Sequence, residues 1–212
     1  MCKKLVLIFC LMLLVGCKQV SKDNTYVDLV NNCLGKTNIS NEVSLGYKYY
    51  VPKGVAKIRD YDYNQVFLVD NCYLYLYVDI ISFYHGVELE KPLVSIDDYF
   101  ELFNYGDKTG YIFLRDDGKQ YYLSIVYNYS KIEGYVPKEK LNKVIILSSI
   151  ILNSIDYNSN IIEKILEGDF GQFSEFVYEV DKPEGASSNF SQYLEEYVQK
   201  DDIEDTEQLP GK

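Results

Sequence analysis

Three groups of side chains in this 212-residue sequence have types and spacings that could do chemistry: a cysteine closing an apolar run, several acidic pairs, and a row of tyrosines at every second position. Cys17 ends the run Leu14-Val15-Gly16-Cys17 and supplies its only nucleophile, while Gly16 gives a protease cleft no side chain to close around. Tyr73, Tyr75 and Tyr77 alternate with Cys72, Leu74, Leu76 and Val78, so on a strand the phenols share one face and the apolar groups the other. Such a row gives large contact area with polar tips at small entropic cost, which suits a protein or sugar partner. It equally suits burial beneath a helix, and that placement is the expected one.

Other constellations fall short of a site. His85 is the only histidine and has no Cys or second His nearby, so it cannot make the usual zinc site. A Ser-His-Asp triad would need it too, yet no Gly-x-Ser-x-Gly elbow is present. Asp60-Tyr61-Asp62-Tyr63-Asn64 opens like a calcium loop, but Gln65 stands where Gly is needed and Asn71 where the bidentate Glu belongs. A polar turn is the expectation there. Asp169-Phe170-Gly171 spells a kinase triplet without the rest of the kinase set. Asp97-Asp98, Asp116-Asp117 and Asp201-Asp202 are adjacent pairs whose side chains diverge, placed in a cap, a turn and a tail. No metal and no cofactor is expected.

The start of the chain carries an expectation of where it works. Lys3 and Lys4 precede an apolar run over 5–15, which is too short for the roughly 20 residues that span a bilayer. A cationic start, a short apolar core and a small residue before the cut mark a cleaved secretory signal. With Leu14-Val15-Gly16-Cys17 closing it, the segment resembles a bacterial lipoprotein precursor. That resemblance implies a diacylglyceryl group (palmitate among its acyl chains) on Cys17, and cleavage just before it. The expected organisation is then a signal peptide at 1–16, a tether at 17–25, an α+β domain at 26–180, and an amphipathic helix with an acidic tail at 181–212.

Losing residues 1–16 removes two lysines and no acid, taking the formal charge from −11 to −13. Arg59 and Arg115 are the only arginines. This argues against nucleic acid, which is gripped by basic patches, and against a polybasic face on anionic lipid. The acyl chains would do the holding. Cys33 and Cys72 are the cysteines left over, and they can pair or stand as two buried thiols.

The elements that must position these residues follow from periodicity. Thr25 caps a helix over 26–34 with Gly35 as its stop. Strands are expected at 45–51 and 55–58 around Pro52-Lys53-Gly54, and at 65–69 and 72–80 around Asp70-Asn71. Ser95 and Asp98 read as a capping box for a helix over 95–106. A hairpin joins 111–115 and 120–127 through Asp116-Asp117-Gly118-Lys119. Residues 132–136, broken by Glu133 and Gly134, read as a short edge strand. Pro137 opens a helix to 155 that buries Leu141, Val144, Ile145, Ser148, Ile151, Leu152 and Ile155 against the sheet. A shorter helix spans 158–167, a strand 175–180, and a helix 189–199 carries Phe190, Tyr193, Leu194, Tyr197 and Val198 on one stripe. The fold class is α+β: an antiparallel sheet of hairpins with helices packed on it.

Two segments carry a second resemblance. Gly46-Tyr47-Lys48-Tyr49-Tyr50-Val51-Pro52-Lys53-Gly54-Val55 and Asn153-Ser154-Ile155 resemble the opening strand-turn and the closing helix of the PsbP-like fold, shared by DcrB-like lipoproteins. The likeness covers 45–157 and implies a non-enzymatic binding or assembly role; it transfers no catalytic residue. The expected function is a lipid-anchored, extracytoplasmic binding or assembly protein without catalysis, joined to the membrane through Cys17 and meeting an envelope protein. The alternatives are an envelope-polymer hydrolase using two carboxylates and a solute-binding lipoprotein with a pocket lined by tyrosines.

Overall fold

The computed structural model describes residues 25–87 and 90–168. The expected signal peptide at 1–16, Cys17, the expected tether before Thr25, Asp169-Phe170-Gly171, the strand expected at 175–180, the helix expected at 189–199, Asp201-Asp202 and the acidic residues after them lie outside the described residues.

The chain begins with helix α1 (Tyr26–Asn31), whose N-terminus is capped as the sequence suggests. The Thr25 hydroxyl accepts from the Asp28 N–H, and the Asp28 carboxylate accepts from the Thr25 N–H at 3.0 Å. Strands β1 (Glu42–Ser44), β2 (Tyr47–Tyr49), β3 (Ala56–Tyr61), β4 (Asn64–Val69) and β5 (Cys72–Val78) follow. Asp70 and Asn71 turn the β4–β5 hairpin with φ of 48° and 62°, conformations that Asp and Asn tolerate best after glycine. A one-turn helix α2 (Ile80–His85) leads through a loop to β6 (Tyr99–Tyr105), β7 (Lys108–Asp116), β8 (Gln120–Tyr127) and β9 (Ser130–Pro137). After a 3₁₀ turn at Lys138–Lys140 come α3 (Leu141–Asn153), β10 (Asp156–Tyr157) and α4 (Ser159–Leu166).

Seven strands form one antiparallel sheet in the order β3-β4-β5-β9-β8-β7-β6, and β1-β2-β10 form a smaller one. The large sheet is two meanders, β3–β5 and β6–β9, joined where β5 pairs β9. α3 packs on β8 and β9, and the small sheet seats Tyr47 and Tyr49 in the same core. The fold is α+β with antiparallel sheets, as the pattern predicts.

Three elements differ from their sequence expectations. Residues 99–105 are a strand, not the end of a helix, and pair β7 along their whole length. The aromatics at 99, 100 and 103 happen to satisfy a helical spacing, but their preference for a pleated surface prevails. Ser95 and Asp98 do bond reciprocally, and what they close is an isolated turn: Ser95 N–H donates to the Asp98 carboxylate at 2.8 Å and Asp98 N–H to the Ser95 carbonyl at 3.1 Å.

The segment read as a short edge strand is β9, which lies between β5 and β8 in the interior of the sheet. Gly134 does not weaken it. A Cβ at that position would stand 2.4 Å from the Tyr73 carbonyl oxygen, so only glycine lets β9 come this close to β5. Pro137 ends β9 opposite Gln120 with extended ψ of 140°, and α3 starts only at Leu141.

Candidate functional site

The large sheet has two chemically different faces. Inward side chains of β4, β5, β7, β8 and β9 (Phe67, Leu74, Leu76, Ile112, Leu123, Ile125 and Ile132 among them) are closed from solvent in one aliphatic core. The buried apolar side chains of all four described helices join that same core. The long helix therefore covers the Leu74–Leu76 face of β5. Tyr73, Tyr75 and Tyr77 lie on the opposite face, half-buried, which corrects the expectation that they sit beneath it.

Register assembles the rest of that outward face. Tyr75 stands opposite Glu133, and Tyr77 opposite Lys131. Glu133 stands opposite Ser124, and Tyr135 opposite Tyr122. The Tyr122 hydroxyl donates to the Glu133 carboxylate at 2.7 Å, and Lys131 pairs with the same carboxylate oxygen at 2.9 Å. The Tyr122 and Tyr135 rings lie 5.5 Å apart. Beyond them Tyr111, Phe113 and Val126 are buried in a second cluster with Phe100 and Tyr122, made of strand residues only. The face is thus an aromatic platform with one half-buried carboxylate near its centre. Burial, and then the bond to Glu133, hold the Tyr122 phenol well above the ordinary tyrosine range, so it remains a donor.

Glu133 and Tyr135 are site residues that the sequence carries only as a faint signal. Through 130–137 the order Lys131, Glu133, Tyr135 alternates with Ile132, Gly134, Val136, in phase with the tyrosine row of β5. Gly134 interrupts the apolar side of that alternation, and this hides the strand.

A second concave region lies across the small sheet. One groove of about 430 Å³ is lined by Tyr47, Lys48, Asp156, Tyr157 and the first residues of α4. Another of about 600 Å³ shares Lys48 and Asp156 and runs along 35–40. Tyr157 stacks on Phe83 at 4.0 Å and donates its hydroxyl to the Asn128 carbonyl at 2.8 Å. Gln65, fully buried, donates to the Tyr47 hydroxyl at 2.8 Å, and that hydroxyl donates to the Asp62 carbonyl at 2.9 Å. These are fixed walls rather than reactive groups.

The remaining candidates are placed plainly. His85 is the exposed last residue of α2, with its ring edge-on to Tyr84 at 5.2 Å. Asp60 bonds Lys57 and Gln65, and Asp62 turns the chain at φ 34°. Asp98 is clamped by Arg115, and Asp116 accepts from Lys138 at 2.6 Å, so these carboxylates are held in ion pairs. Cys33 and Cys72 are separate buried thiols; burial raises both above the usual thiol range. Among the described residues no group of three His, Cys, Asp or Glu is arranged to hold a metal.

Comparison with protein-family models, with curated proteins and with solved structures returns no match.

Proposed function

We propose that this chain is a bacterial lipoprotein: an extracytoplasmic binding or assembly protein, held at the cell membrane by acyl chains on Cys17, that receives an envelope protein on the outward face of its large sheet. The observation that carries the reading is the tyrosine platform of β5, β9 and β8 with Glu133 at its centre. Half-buried aromatic side chains with polar tips give the composition that protein-binding surfaces favour. The acidic chain, at −13 once residues 1–16 are lost, favours a partner with a basic surface. The lipobox Leu14-Val15-Gly16-Cys17 and the likeness of 45–157 to the PsbP-like fold support a role in assembly rather than turnover.

The test is photo-crosslinking in intact cells from a probe replacing Tyr75, with mass spectrometry of what is captured. The expected result is one envelope protein whose capture is lost in Glu133→Lys. Capture indifferent to Glu133→Lys would defeat the binding face. Absence of an alkynyl-palmitate label on the purified chain, or an N-terminus at Met1, would defeat the anchor.

A solute-binding lipoprotein is the second reading, and the groove beside Tyr47 and Tyr157 favours it. A small molecule retained by the purified chain and lost on Tyr157→Ala would favour that reading over the first.

A further inference from the structure

The loop before β6 holds apolar side chains out into water. Leu93 is 93% exposed, Ile96 99% and Val94 46%. This is not a slack loop. Arg115 donates to the Asp98 carboxylate through Nε at 3.0 Å and Nη2 at 2.9 Å, and to the Leu93 carbonyl at 3.3 Å. Asp98 in turn holds the Ser95 N–H. A clamp of charged groups thus fixes three aliphatic side chains away from the core. Contiguous exposed apolar groups of this kind mark a surface that meets something apolar.

The course of α1 says what that something is. The helix runs alongside β6, and its start lies at the start of the strand: the Tyr26 and Tyr99 rings meet at 5.2 Å, and the Tyr99 hydroxyl accepts from the Val27 N–H. Its far side reaches the other end, where a Cβ on Gly35 would collide with the Tyr105 ring. Thr25, the first described residue, therefore sits at the Tyr99 end. Ile96 is three residues from Tyr99, at most about 10 Å along the chain. The eight residues 17–24 can span no more than about 28 Å. A lipid-bearing Cys17 would tether the domain to the bilayer from this end, with the loop before β6 beside the point of attachment.

We propose that Leu93, Val94 and Ile96 form a second membrane contact, dipping into the bilayer surface beside the tether and fixing the orientation of the domain. This rests on the anchor reading given above. The groove lined by Gly35 and Asn153 lies at the other end of α1 and α3, away from this contact. The contact is apolar, so it does not need the basic surface that the chain lacks.

The sequence contains no tryptophan, which makes the test direct. The acylated protein is prepared as I96W and, at the opposite end, as I39W, a position 91% exposed. Each is placed in phosphatidylcholine vesicles whose acyl chains carry bromine. The expected result is emission from I96W shifted to the blue and quenched several-fold more than that of I39W, with the difference abolished when Leu93→Asp and Val94→Asp are added. Equal quenching of the two variants, with both proteins bound to vesicles, overturns the loop contact and leaves the anchor standing. Failure of the acylated protein to bind vesicles overturns both.

Discussion

The two faces of the seven-stranded sheet are made by alternate residues of the same strands, and they have opposite fates. Along β5, Leu74 and Leu76 are at most 1% exposed and pack against helix and small sheet, while Tyr73, Tyr75 and Tyr77 between them stay half-buried. Along β9, Ile132 and Val136 close the core while Lys131, Glu133 and Tyr135 form the platform. One face forms the aliphatic core and the other the aromatic platform. A single-residue slip of β9 against β5 would exchange them, so the register of this one pair defines both.

The contrast can be broken most sharply inside the core. Leu76→Ala should cost about 3 kcal/mol in a denaturant melt, the usual range for a fully buried leucine. Its neighbour Tyr77→Ala should cost about 1 kcal/mol. Equal losses would mean that the outward face is core as well. Gly134→Ala comes next. The added methyl meets the Tyr73 carbonyl at 2.4 Å, and the β5–β9 junction must open by a few tenths of an ångström at least, at about 2 kcal/mol.

A subtler test asks whether Glu133 organises the platform. Glu133→Gln should lower stability by about 1 kcal/mol and bring the Tyr122 ionisation down toward the ordinary range, read as tyrosinate absorbance. An unmoved Tyr122 titration would mean that burial alone holds it.

The buried tyrosines also set an alkaline limit. Burial pushes Tyr63 up to about 12, with Asp62 adding to it; burial and then the bond to Glu101 push Tyr99 up to about 12. The folded chain keeps these protons when the unfolded chain loses them, near pH 10. Stability is therefore full below about pH 10 and falls as the pH rises from there to about 12. Thermal melts across that window should show a steep loss, and a flat profile would count against the buried phenols. The smallest effect belongs to the periphery. Arg115→Gln should change global stability by under about 1 kcal/mol, since half of its side chain is in water.

Much of this is legible in the sequence. The clean alternation of β5, the Asp70-Asn71 turn, the cap at Thr25 and the buried row of α3 all follow from local pattern and stereochemistry. β6 is not, because an aromatic-rich edge strand can satisfy a helical period by chance, and because only Phe103 of its seven residues is buried. β9 is not, because Glu133 and Gly134 look like interruptions until their partners are known. The glycine makes sense only beside the Tyr73 backbone, and the carboxylate only beside Tyr122. Both are facts of tertiary proximity.

The small sheet has a consequence for how the chain must be made. β2 pairs on one side with β1, its immediate neighbour, and on the other with β10. The Ser154 hydroxyl that accepts from the Tyr50 N–H arrives 104 residues later. During synthesis the β1–β2 ribbon is therefore out early, with one edge bare, and it waits for most of the domain to follow. A naked edge is an invitation to pair with the wrong strand. In this molecule that hazard ends only when Asp156 and Tyr157 come home, so shortening the chain before them would leave a sticky fragment rather than a smaller version of the same fold.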